Sequence, residues 1–501
     1  MSLLNTLVVA GFGLLIPATI ARYLNPFEMG SYSYILWLST TLALIMSMGL
    51  PASLLRFGAE VKSLWGSQAP FWLLRKILLT QLCLTFGWIL ILVMVVHTKW
   101  GRKVVSASEQ QWTLVIIGFF AFSLLNILVS YAQSQSHFGR LVLVNAASLF
   151  SVFLVSNWIG TFVARVDVFV IVYFVGTLLS AGILIGIYHR GLCMKVAVES
   201  SLEETWRRVV KYSLSVAGIM VVDAIVWQRS EVFFLQWFGQ PDQIAFYSIA
   251  YDLSSKPMGL ISRALTPVLL YNFTSLHAAS DPRLGEKFKE SLHYLALLSF
   301  PFAAFIFAFA KPLVRLIYGQ QYSSAAPILQ VLIAASALGT VAGAGSSLVY
   351  ALERQNFILI SGICLAILNI GADLLLIPSL GAIGAAIANS VTQTLGIVVG
   401  TIYLVRILGF KYPFVSIFRS GASCLLMAVT MHAVISLDAS VKGYVLAVLI
   451  GLAVGGFSLW SMGLRRNGFK VLKVLIGYLQ ILRALRHQKG MGPGSKGLPT
   501  S

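Results

Sequence analysis

Five ionisable residues fall inside two neighbouring apolar stretches: Arg229 and Glu231 in 212–236, and Asp252, Lys256 and Arg263 in 244–272. A charge at mid-bilayer depth costs about 2.5–3.5 kcal/mol on insertion scales, so such residues face a bundle interior or a wet cavity and mark transport pathways. Asp252, Lys256 and Arg263 are spaced by four and seven residues, which on a helix gathers them into a sector of roughly 40°. Ser248 joins that face one turn earlier. An acid four residues before a base also forms the favourable intrahelical pair, so Asp252 and Lys256 could simply neutralise one another. Arg263 is left over. Pro257 predicts a kink that frees backbone groups for water or ligand. Arg229 and Glu231, two residues apart, point to nearly opposite sides of a regular helix, so each needs a partner on another element.

A second set of residues offers oxygen ligands. Asn369 and Asp373 share one face of a later apolar stretch, and the run ANSVTQT at 388–394 supplies Asn389, Thr392, Gln393 and Thr394 on the next. Carboxylate, amide and hydroxyl oxygens suit hard cations such as sodium, or a proton relay. Interhelical hydrogen bonding accounts equally well for the Asn and Thr residues. It does not account for Asp373, which has no intrahelical base. Asp223 lies two turns before Glu231 and within about 80° of it, giving that helix an acidic side. Asp223 and Asp373 form one site only if their helices meet around the cavity.

Membrane helices must position these groups. The chain is 58% hydrophobic and only 11% charged, against about 25% charged in globular proteins, and its mean hydropathy is +0.86. Apolar runs of about 20 residues fit helices crossing roughly 30 Å of hydrocarbon. Fourteen are expected, centred near residues 11, 41, 83, 122, 152, 177, 224, 258, 300, 337, 366, 393, 426 and 452. The first lacks the basic n-region and cleavage site of a signal sequence. With both termini cytoplasmic, 25 Lys and Arg residues fall on the inner side and 8 on the outer, the cluster at 99–103 being the exception. That bias follows the positive-inside rule, so the net charge of +19 reports topology and calls for no nucleic acid. Cys83, Cys193, Cys364 and Cys424 suggest neither a disulfide framework nor a metal site.

An all-α organisation follows. Residues 1–190 form a lobe of helices 1–6, 191–211 a cytoplasmic linker within the longest internal loop, 188–211, and 212–405 a lobe of helices 7–12. Helices 13 and 14 occupy 412–463, and 464–501 a basic amphipathic helix at the interface followed by a disordered tail. A weak repeat links the lobes at an offset of 215 residues, NPFEMGSYSYILWLS (25–39) against QPDQIAFYSIAYDLS (240–254), pairing Pro26/Pro241, Tyr32/Tyr247, Ser33/Ser248, Leu38/Leu253 and Ser39/Ser254. Parallel repeats of six helices with a site between the halves are a transporter plan.

Four segments, RYLNPFEMGSYSY (22–34), GLPASLLRFGAE (49–60), WQRSEVFFLQWFGQPDQIAFYSIAYDLSSKP (227–257) and NIGADLLLIPSLGAIGAAIANSVTQ (369–393), give the chain its family likeness. It resembles bacterial polysaccharide repeat-unit flippases, the O-antigen or oligosaccharide translocases of the multidrug/oligosaccharidyl-lipid/polysaccharide exporter superfamily. The resemblance implies a two-lobed flippase in the bacterial inner membrane, not an enzyme, that carries an undecaprenyl-pyrophosphate-linked oligosaccharide outward for O-antigen, capsule or exopolysaccharide. It implies a cationic cavity in which Arg229, Lys256 and Arg263, joined by Arg22 and Arg56, hold the pyrophosphate beside Glu231 and Asp252. It also implies sodium or proton coupling, with no other cofactor, at Asp223, Asn369, Asp373 and either Asn389 or Thr392. Beyond the lipid-linked substrate and membrane lipids, candidate partners are a polysaccharide polymerase and a chain-length regulator. A cation-coupled multidrug exporter shares the fold, but cationic drugs fit poorly with Arg and Lys. A membrane glycosyltransferase or polymerase needs a catalytic loop that the short connections do not supply.

Overall fold

The computed structural model describes residues 2–98, 109–193, 200–226, 229–438 and 440–461. The cations at 99–103 and the amphipathic helix and tail expected within 464–501 lie outside the described residues. No strand occurs among those described. The helices are α1 (Ser2–Ile20), α2 (Pro26–Met46), α3 (Leu50–Trp65), α4 (Ala69–Val96), α5 (Glu109–Ser134), α6 (Phe138–Gly160), α7 (Val166–Cys193) and α8 (Ser200–Val226). They continue as α9 (Glu231–Trp237), α10 (Pro241–Ala278), α11 (Leu284–Ala308), α12 (Ala310–Ile317), α13 (Ala325–Ala351), α14 (Gln355–Ile402), α15 (Phe414–Leu437) and α16 (Val441–Ser461).

Ten of these are long and apolar enough to cross a membrane. The fourteen apolar segments of the sequence reconcile with that number for physical reasons. α14 is two antiparallel spans joined at Gly381, whose φ of 56° and ψ of −134° fold the chain back on itself. α8 and α10 are long enough but carry the charges of interest, and the apolar part of α16 is short, Val441–Gly456. The lipid-facing surface is visible as stripes at helical spacing: on α4, Phe86, Leu90 and Met94 are 57%, 64% and 71% exposed, which a solvent of hydrocarbon tolerates and water does not.

In the first lobe α1 packs on α6, and α5 lies against α2, α3 and α7; in the second, α13 is the centre, against α10, α11 and α14, with α15 and α16 paired outside α11. The lobes meet chiefly along α2 and α10. These are the two helices that carry the internal repeat, and both begin with proline at their first turn, where its missing N–H costs nothing. Their starts touch backbone to backbone, since a Cβ on Gly30 would lie 1.7 Å from the carbonyl oxygen of Pro241. Repeat partners occupy matching places: Ser39 and Ser254 are fully buried, and Ser33 and Ser248 line the same cavity.

One expectation about helix continuity is reversed. The stretch 212–236 is not one helix: it stops at Val226 and resumes at Glu231, with Arg229 at φ 62° between them. α10, by contrast, runs on through Pro257 and Pro267. One proline removes one hydrogen bond, which a long, well-packed helix absorbs, whereas Arg229 and Glu231 have incompatible surroundings that only a break can serve. The segment 188–211 is likewise mostly helix. α7 extends to Cys193, α8 starts at Ser200, and Val209 belongs to a core with Leu54, Phe57 and Leu73 of α3 and α4. Ion pairs Lys76–Glu203 (2.9 Å) and Arg208–Glu60 (2.9 Å) tie this part of α8 to the first lobe.

Candidate functional site

A cavity of about 490 Å³ lies between the lobes. From the second lobe come Arg229, Ser248, Tyr251, Asp252, Lys256 and Arg263. From the first, the wall is formed by Gly13 and Pro17 of α1, Tyr32, Ser33, Trp37 and Thr40 of α2, and Phe122, Leu149 and Tyr173. All of the cavity's charge is therefore on one wall. Asp252 is its hub, accepting from Lys256 Nζ at 2.7 Å and from Arg229 at 3.4 Å. Lys256 also reaches across to α1 and donates to the Gly13 carbonyl. The Arg229 guanidinium lies 5.1 Å from the centre of the Tyr251 ring, a cation–π contact that fixes the arginine while leaving donors free. Arg263, exposed within the cavity, has no ion pair among the described residues. Two cations share one carboxylate and a third, Arg263, stands apart from it, so this wall carries a surplus of positive charge fit to hold an anion.

Arg22 and Arg56 do not line this cavity. The α2 helix ends at Met46, and the left-handed Met48 and Gly49 start α3 in a new direction. The change turns Arg56 toward α8, where its guanidinium sits 4.5 Å above the Tyr212 ring and 5.3 Å from that of Phe57. Arg22 is exposed in the turn after α1. Neighbouring carbonyls there are taken by the far lobe, Gln321 bonding Ala21 and Leu24 and Tyr322 Oη donating to Leu24 at 2.7 Å.

Glu231 belongs to a different site from the one the sequence suggests. Two residues beyond Arg229, it enters a fully buried pocket where Tyr247 Oη donates to it at 2.9 Å, Asn389 Nδ2 at 2.8 Å and Asn369 Nδ2 at 3.3 Å. Asn369 also donates to Asp373 at 3.2 Å. Among the described residues neither Glu231 nor Asp373, both fully buried, has an ion-pair partner. Two buried carboxylates without a base must take up a proton or a cation. Asn369 Oδ1, Asp373 Oδ1 and Thr392 Oγ1 are buried without hydrogen-bond partners among the described residues, an all-oxygen donor set that suits a hard cation. Asn389, in contrast, has both ends of its amide engaged, accepting from Gln393 at 2.6 Å, which leaves Thr392 as the available oxygen on that arm. The fold-back at Gly381 is what brings 369–373 and 389–392 together.

Asp223 is not among the groups that bond Glu231, which are Tyr247, Asn369 and Asn389. It is half-buried on α8, before the break, within electrostatic reach of Tyr251 and Tyr350. The acid beside Asp373 is Glu231. Residue-type reasoning also passed over Tyr247, Tyr251, Trp37 and Tyr318; the pairing of Tyr32 with Tyr247 in the internal repeat was the available signal for aromatic residues at these depths.

A two-lobed bundle with a charged cavity between the lobes and a buried acidic pocket in one of them defines the class: a polytopic helical membrane fold. Solved structures of low sequence identity share this fold. The lipid II flippase MurJ in an inward closed conformation superposes with a TM-score of 0.70 at 14% identity, covering 91% of this chain and 96% of that one. An inward-facing multidrug resistance MATE transporter of the MOP superfamily gives 0.60 at 13% identity, covering 81% and 96%. A MOP superfamily transporter from Pyrococcus furiosus, described as having a binding pocket of reversed polarity, gives 0.53 at 16%, covering 82% and 94%. No curated protein matches the sequence. Residues 19–327 match the family described as polysaccharide biosynthesis protein, and the chain belongs to it.

Proposed function

We propose that the protein is a flippase that carries an undecaprenyl-pyrophosphate-linked oligosaccharide across the bacterial inner membrane for the assembly of a surface polysaccharide. The observation that carries this reading is the positive surplus of Arg229, Lys256 and Arg263 around the single carboxylate Asp252 in an interlobe cavity, which suits a pyrophosphate and repels a cationic drug. Family membership supports the polysaccharide context. Alternating access between the lobes then needs no covalent step, and no enzyme activity is proposed. The acidic pocket couples transport to sodium or protons through Glu231, Asp373, Asn369 and Thr392. Both termini and the 191–211 segment face the cytoplasm.

The test is export in cells that depend on this protein for their surface polysaccharide. Arg263→Gln and Arg229→Gln should each abolish export while the protein stays inserted and abundant, with the lipid-linked intermediate accumulating inside. Lys at either place should restore it only partly, since an ammonium lacks the bidentate fork. Normal export by both Gln variants would reject the pyrophosphate assignment. A Ser200→Cys protein should resist an impermeant thiol reagent in intact cells; labelling from outside would reject the topology.

A further inference from the structure

The cavity's uncharged wall is not featureless. Tyr32 and Tyr318 are each 1% exposed, both line the cavity, and neither hydroxyl has a hydrogen-bond partner among the described residues. They come from opposite lobes, α2 and the end of α12, and converge on the same carboxylate: Asp252 lies within electrostatic reach of Tyr32, Tyr173 and Tyr318. Trp37, one helical turn and a half beyond Tyr32, lines the same wall. A buried hydroxyl left unpaired costs free energy that a bound ligand's polar group recovers. Two hydroxyls that donate or accept, a carboxylate that accepts, and flat aromatic faces between them match the surface of a sugar ring, with its rim of hydroxyls and its apolar C–H faces. They give a pyrophosphate no cation of their own, Asp252 being already paired with Lys256 and Arg229. The free cation on this helix, Arg263, is eleven residues further along α10, or roughly 16 Å at 1.5 Å per residue. Anion and acceptor are thus laid out along one helix in series.

Resting on the flippase reading, we infer that Tyr32, Tyr318, Asp252 and Trp37 form a subsite for the sugar nearest the lipid, with the pyrophosphate anchored toward Arg263. Selection for a glycosylated lipid over a bare one would then be made at the meeting of α2 and α12, on side chains that carry no net positive charge. Tyr32→Phe with Tyr318→Phe removes only two oxygens and keeps the shape of the wall.

The experiment uses the purified full chain in lipid nanodiscs and measures binding of undecaprenyl pyrophosphate, bare or carrying glucose, galactose or N-acetylglucosamine. The native protein should bind at least one glycosylated form about tenfold or more above the bare lipid. The double Phe variant should lose most of that preference, a fall of about 5- to 150-fold for two neutral hydrogen bonds, with bare-lipid affinity unchanged. Arg263→Gln should weaken bare and glycosylated forms alike. If no glycosylated form binds above the bare lipid, or if the Phe variant weakens both equally or neither, the sugar subsite is wrong while the flippase reading stands. If the native protein binds no form at all, the flippase reading itself falls, and the subsite with it.

Discussion

The cavity and the acidic pocket are built from residues two apart in sequence, Arg229 and Glu231, yet they solve opposite electrostatic problems. In the cavity, cations outnumber the one carboxylate, side chains keep some exposure, and Arg229 and Lys256 are 25% and 26% accessible. In the pocket, two carboxylates are sealed from solvent and, among the described residues, are hydrogen-bonded by amide and hydroxyl groups. The first can exchange a large anion because its charges remain hydrated. The second holds its charge state tightly, because any change of ion or proton alters the balance of a dry site. α10 links them: Tyr247 bonds Glu231 in the pocket, Tyr251 one turn on supports Arg229, and Asp252 pairs with it in the cavity.

Glu231→Ala breaks the comparison hardest. It leaves Tyr247 and Asn389 with buried unsatisfied donors at about 1–3 kcal/mol each, while Asn369 keeps Asp373 and Ser230, so thermal unfolding in detergent should show a loss of at least about 2 kcal/mol. Glu231→Gln, which keeps acceptor and shape, should unfold near the native temperature. If the two behave alike, the pocket is less sealed than its geometry says.

Asp373→Asn should next remove any sodium or pH dependence of transport, while Asp223→Asn leaves it in place, because only Asp373 shares the pocket with Glu231. Measuring transport across sodium and pH ranges for both variants decides this; the opposite result would move the coupling site to α8. A smaller effect is expected at Gly30. A Cβ there forces α2 off Pro241 at a cost of about 1–3 kcal/mol, so Gly30→Ala should lower the transport rate through the cavity yet keep the cation dependence set by the pocket. Smallest of all, Arg56→Gln forfeits a cation–π contact worth about 0.5–1 kcal/mol at the α3–α8 interface, and Arg22→Gln a solvated charge. Export by either should stay within about twofold of native, in contrast to Arg263→Gln.

Composition and the length of the apolar runs were enough to establish an all-helical membrane protein, because hydrocarbon leaves the backbone no other way to satisfy itself over about 20 residues. The offset repeat pointed to α2 and α10, which do meet at the lobe interface. Spacing alone put Asp252, Lys256 and Arg263 on one face, since a helix obeys a fixed angle per residue and α10 remains a helix through Pro257. What spacing could not reveal was where that regularity fails. The breaks at Arg229, at 47–49 and at Gly381 decide that Arg229 and Glu231 part company, that Arg56 turns to Tyr212 and that Asn369 meets Asn389. Each break is stabilised by contacts from elements far away in sequence, such as Asp252 for Arg229 and Tyr247 for Glu231. Local sequence sets the cost of leaving a helix; only the assembled lobes supply the partners that offset it.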